Sequence, residues 1–219
     1  MKTTKISTIV FALILIGCKS EPEAFSNFKY TDKGVVLNCE TLDTKLYNEA
    51  LFAFENDMIE FYSKGQSNIT RSYSFFVRDA VNGRAKYAEI LSPHTVEVFE
   101  ALKRETNLWN LNDANSNLNY DSPLFKCIVD NIQSNDLKTT LNALLTTNSM
   151  SPKLFGPPLQ SQYSQAIRDK YLSAYMAFDL FYAKLFDVDL SQVKAKETEE
   201  NKENTSEAPL TDPHAGHNH

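Results

Sequence analysis

The chain has 219 residues, with 28 acidic against 22 basic side chains and a mean hydropathy of −0.38. A surface this acidic has no general attraction for nucleic acid or anionic lipid, so partners held by a basic patch are excluded. The three cysteines show neither CxxC nor Cys–His spacing, which removes a zinc finger and a thioredoxin-like redox motif.

Residues 1–5 carry Lys2 and Lys5 and no acid, and residues 6–16 are apolar except for Ser7 and Thr8. That is the layout of an export signal, because a helix that spans a bilayer needs about 20 apolar residues. The run closes on Leu15-Ile16-Gly17-Cys18, which resembles the lipobox of bacterial lipoprotein signal peptides. The resemblance covers residues 1–18 and implies a signal peptide over 1–17, cleavage before Cys18 and lipid on that cysteine. The lost segment takes two lysines and no acid, so the charge moves from −6 to −8. Two or three acyl chains hold a protein to a membrane firmly, whereas one does so only marginally. Residue 19 is lysine, not the aspartate that retains some lipoproteins at the inner membrane, so the expected address is the outer membrane, facing the periplasm or the cell surface. Residues 18–33 read as a lipidated flexible tether.

Residues 34–190 are near the commonest size of a single domain. Export would place Cys39 and Cys127 where disulfides persist, and a bridge would close a loop of roughly 90 residues; the alternative is a pair of buried free thiols. Glycine is scarce, and apolar residues recur at steps of three and four, the period of a helix with one buried face. Tyr47, Leu51, Phe54, Met58 and Phe61 form one stripe, ended by Gly65. Ile69, Tyr73, Phe76 and Ala80 form a second, followed by an Asn82-Gly83 turn.

Ser92-Pro93 reads as an N-cap and first helical position, opening a stretch through Val98 and Leu102 towards Trp109. The asparagine-rich run 110–119 is a loop, and Ser122-Pro123 repeats the start signal. Asn135 or Asp136 caps a short helix through Leu144. Ser151-Pro152 and Gly156-Pro157-Pro158 bracket a rigid connection, since proline disfavours helix in the residue before it. Residues 160–187 then form the longest helix, rich in tyrosine and surrounded by others. The expected fold is all-α, an irregular bundle of five to seven helices with a long central C-terminal helix, and a small hairpin is the alternative.

The search for catalytic patterns is empty: HExxH, ExxH pairs, GxSxG, a Walker loop and a dinucleotide fingerprint are all missing from the sequence. Ser26 to Lys29 fits SxxK by chance. His94 falls in the first turn of its helix, where a surface or capping role is expected. Glu49, Asp57 and Glu60 are expected on a solvated helix face. Tyr163, Tyr171, Tyr175 and Tyr182 sit at core spacing, with a ligand cleft as the other reading. Residues 191–219 read as a disordered charged tail, and three of the four histidines fall in its last six positions. His214, His217 and His219 could ligate Cu(II) or Zn(II), though a solvated tail end with incidental affinity is the simpler reading. Taken together, these features favour a non-enzymatic module that meets an envelope protein or small ligand, touches the membrane through Cys18 and binds no nucleic acid. Metal capture by the tail, and an enzyme whose site is assembled from distant residues, are the alternatives.

Overall fold

The computed structural model describes residues 24–64, 66, 68–191 and 193. The expected signal peptide, Cys18 and the histidines of the tail lie outside the described residues. The fold is all-α, and no strand or sheet occurs among the described residues. Among the described residues eight α-helices follow one another: α1 (Lys45–Ser63), α2 (Ile69–Val81), α3 (Tyr87–Ile90), α4 (Pro93–Leu102), α5 (Pro123–Asn131), α6 (Asn135–Thr146), α7 (Pro152–Gln162) and α8 (Lys170–Tyr175). The chain continues from α8 into a π-helical segment, Met176–Phe181, and a 3-10 segment, Tyr182–Asp187.

Three helix starts, those of α4, α5 and α7, share one local device. In Ser92-Pro93, Ser122-Pro123 and Ser151-Pro152 the serine Oγ accepts the N–H of Thr95 (3.2 Å), Phe125 (3.1 Å) and Leu154 (3.3 Å), while proline supplies a helical φ and has no N–H to leave unbonded. Ser134 caps α6 in the same way, so the cap lies one residue before Asn135. The third Ser-Pro pair opens a true helix, α7, where the sequence suggested a rigid connection. Pro157 and Pro158 within it leave the carbonyls of Lys153 and Leu154 without a helical donor, and both residues are exposed to water that can bond them. Gly156 serves packing: a Cβ there would lie 2.5 Å from a methyl of Val81, so glycine is what lets α7 approach α2.

The centre is shared between α1 and the C-terminal run. Every residue from Tyr47 to Glu55 is buried, because α2 and α4 cover α1 and the π segment packs beneath it. Phe54 meets Phe76 at 4.9 Å and Phe181 at 5.2 Å between ring centres, tilted as aromatic quadrupoles prefer. Each such ring, fully buried, contributes about 1.5–3 kcal/mol. The expected single helix over 160–187 is interrupted. A 3-10 turn, Tyr163–Ile167, follows α7, and Asp169 then caps a new helix by accepting the N–H groups of Tyr171 and Leu172. Likewise α4 ends at Leu102, and Trp109 instead bridges Leu118 across the base of a loop.

Cys39 and Cys127 are joined by a disulfide with Cα atoms 5.8 Å apart, tying the segment before α1 to α5. The described part of the expected tether, residues 24–33, lies on the body as a strap: Lys29 and Tyr30 donate their backbone N–H groups to Glu49 at 2.7 and 3.1 Å.

Candidate functional site

The α1 carboxylates correct the sequence reading. Glu60 is exposed as expected, but Glu49 and Asp57 are each only 3 % exposed, since the strap covers the first and the start of α4 covers the second. His94 is buried too, not at the surface, and its Nε2 lies 2.7 Å from Glu49 Oε1. The rings of Tyr30 and Phe25 roof it at 5.8 and 6.3 Å, and its Nδ1 has no partner among the described residues. Asp57 accepts the N–H of Ser92 at 2.8 Å. Burial pushes its pKa up, while bonds from Thr95 and Ser92 pull the other way. Tyr30 is pushed up to about 12, first by burial and then by the charges of Asp57 and Glu49.

Two further carboxylates are saturated inside the core. Glu55 accepts from Tyr73 (2.7 Å), Ser173 (2.9 Å) and Lys170 (2.6 Å), and the Tyr73 and Ser173 hydroxyls also bond each other. Asp179, in the π segment, is fully buried and accepts from Ser116 (2.6 Å), Tyr120 (3.1 Å) and Tyr175 (2.8 Å). All three donors are neutral hydroxyls, so burial raises its pKa first and the hydrogen bonds offset only part of that. Burial also drives Tyr120 and Tyr175 well above the ordinary phenol value, reinforced by Asp179. Tyr175 and Tyr182 are fully buried core residues, with Tyr182 bonded to the Ala50 carbonyl at 2.9 Å, and Tyr171 bonds the Asn38 carbonyl at 3.1 Å.

Open chemistry lies elsewhere. A cleft of about 730 Å³ runs between the 110–121 loop, α5 and α6, within the range of about 300–1,000 Å³ that small-ligand sites occupy. Its rim carries Asn110, Asn112, Asp113, Asn115, Asp121, Lys126, Asp130, Asn142 and Asn148, and its floor Phe125, Val129, Leu145 and Met150, with Tyr120 at the side. Asn148, two residues past the end of α6, has φ +50°, a left-handed conformation that asparagine tolerates better than most residues.

The loop itself is tightly held. Asn110 and Asn117 pair through their backbones at 2.8 Å, and the carboxamides of Asn117 and Asn119 bond the Ala183 and Asn107 carbonyls, each at 2.9 Å. Ser116 and Tyr120 reach down to Asp179. The side chains of Asn112, Asn115, Asn142 and Asn148, by contrast, are exposed and make no hydrogen bond to another described residue. The asparagine run marked this loop in the sequence. What it could not mark was the division between carboxamides that brace the loop and those left facing the cleft, because α6 and residue 179 are remote in sequence.

No protein-family model matches the chain, and neither comparison with curated proteins nor comparison with solved structures gives a match. Among the described residues, no helix is long and apolar enough to cross a membrane and no group of three or more His, Cys, Asp or Glu side chains is placed to hold a metal ion.

Proposed function

We propose that the chain is a lipoprotein of the bacterial envelope, anchored through lipid on Cys18 at the outer membrane, and that its helical body is a non-enzymatic binding module. The observation that carries the binding role is the contrast within one body: Glu49, Glu55, Asp57 and Asp179 are buried and bonded internally, while an open cleft presents unbonded carboxamides. Exposed polar groups held on a braced loop suit recognition, which needs pre-placed donors and acceptors. The anchor rests on the lipobox resemblance at residues 15–18.

Mass spectrometry of membrane-extracted protein tests the anchor, with a mature chain beginning at acylated Cys18 as the expected result and an unmodified Cys18 as the refuting one. A broad hydrolase screen of the same material tests the non-enzymatic role. Turnover that is lost on substituting His94 or one carboxylate would replace it with an enzyme.

A second reading gives His214, His217 and His219 a part in Cu(II) or Zn(II) capture, supported by the crowding of three histidines into the last six residues. Calorimetry on the full chain and on one ending at Leu190 decides it: binding confined to the full chain supports capture, and equal, weak heats from both remove it.

A further inference from the structure

The cleft also indicates what class of ligand suits it. A carboxamide carries two donors and an acceptor oxygen, whereas a carboxylate only accepts. Asn112, Asn115, Asn142 and Asn148, left without internal partners, therefore surround the cleft with groups that both give and take hydrogen bonds. Three carboxylates against the single ammonium of Lys126 make the lining acidic, which repels anions. A hard cation would need convergent carboxylates, and the described residues hold no such group. What fits is a neutral molecule whose own groups each donate and accept, with apolar C–H faces to lie against Tyr120 and Leu145.

The support beneath the loop is an independent observation. A buried carboxylate bonded only to hydroxyls is costly to desolvate, yet Asp179 is kept, in a π-helical turn of the kind that recurs at functional sites. Two of its three bonds, from Ser116 and Tyr120, fix the loop that carries Asn112 and Asn115. We infer that the cleft between the 110–121 loop and α5–α6 binds a neutral polyhydroxylated ligand, a saccharide, at a site fixed in shape before the ligand arrives. This inference rests on the binding-module reading and names its site and ligand class.

The test uses the full mature chain, ¹⁵N-labelled and extracted in a sugar-free zwitterionic detergent. Maltotriose and N,N′-diacetylchitobiose are the neutral probes, with glucose 6-phosphate and CaCl2 beside them. At least one neutral probe should move the side-chain amide signals of Asn112, Asn115 and Asn142, and glucose 6-phosphate should bind about tenfold more weakly or worse. Asn112→Ala and Asn142→Ala should each weaken saccharide binding about fivefold, from loss of one net hydrogen bond, with unchanged circular dichroism. Three results overturn the inference: no movement with either saccharide, movement with CaCl2 alone, or saccharide binding indifferent to both substitutions. Any of these with acylated Cys18 in hand removes the saccharide site and leaves the anchored module standing.

Discussion

The α1 side of the molecule and the cleft side treat the same chemistry in opposite ways. On α1, Glu49, Asp57 and Glu55 are sealed under the strap, α4 and α8, and their bonds go to backbone N–H groups, hydroxyls, His94 and Lys170. Around the cleft, asparagines stand in water on a loop braced by its own bonds and on the facing side of α6. Most buried polar groups are paired, and their partners define their role. An exposed one on a rigid support is free to be paired from outside. Polar residues on the two sides should therefore differ sharply in what they contribute to stability.

The sharpest break of this contrast is at Glu55. Glu55→Ala takes the carboxylate away from the half-buried Lys170 and removes an acceptor from the Tyr73 and Ser173 hydroxyls, which keep only each other, and should cost about 3 kcal/mol, read from urea denaturation; a loss near zero would mean that the network is dispensable. The covalent tie between the two sides comes next. Replacing both Cys39 and Cys127 by serine should cost about 2–4 kcal/mol in the same measurement, because the unfolded chain regains the entropy of a long loop.

A pH series sharpens the difference further. Asp57 and Asp179 are both held above the ordinary carboxylate value, with burial the largest cause in each. The folded chain thus takes up their protons more readily than the unfolded one. Their contribution to stability is full below the unfolded value of about 3.9 and declines as pH rises through the raised folded values. Relative to Asp179→Asn, the native chain should accordingly gain stability as pH falls from neutral towards about 4. A difference that does not change with pH would show that Asp179 does not titrate in this way. At the small end, Asn112→Ala and Asn142→Ala should each shift stability by no more than about 0.5 kcal/mol, and a larger loss would place these side chains in the structural group.

Much of the helical order was legible because it is local. The stripes from Tyr47 and from Ile69, and the caps at Ser92 and Ser122, depend only on residues three or four apart, and the structure places α1, α2, α4 and α5 on them. The third Ser-Pro pair shows how a local signal is misread. Gly156-Pro157-Pro158 looks like a helix breaker in isolation, yet tertiary context reverses its meaning, with Val81 seated against the glycine and the two freed carbonyls on exposed residues.

The solvated face expected for Glu49 and Asp57 failed for a related reason. Helical periodicity separates polar from apolar positions but cannot say that a strap from residues 24–33 will close over the polar ones. The break at residues 163–169 was likewise hidden within an apolar pattern that continues across it, and only the Asp169 cap reveals the new start. The cleft was half legible: the loop was visible as a run of asparagines, whereas its floor and far wall come from α5 and α6.

The disulfide also changes how a mechanical load would cross the molecule. With the chain anchored at Cys18 as proposed, tension from a ligand held at the 110–121 loop runs along the short segment to Cys39. It then passes through the sulfur bridge to Cys127, a few residues from the cleft. That covalent shortcut spares α1 to α4 from bearing the pull in series. The strap bonds to Glu49 can peel away under force, extending the leash, while the helical body and the shape of the cleft stay intact.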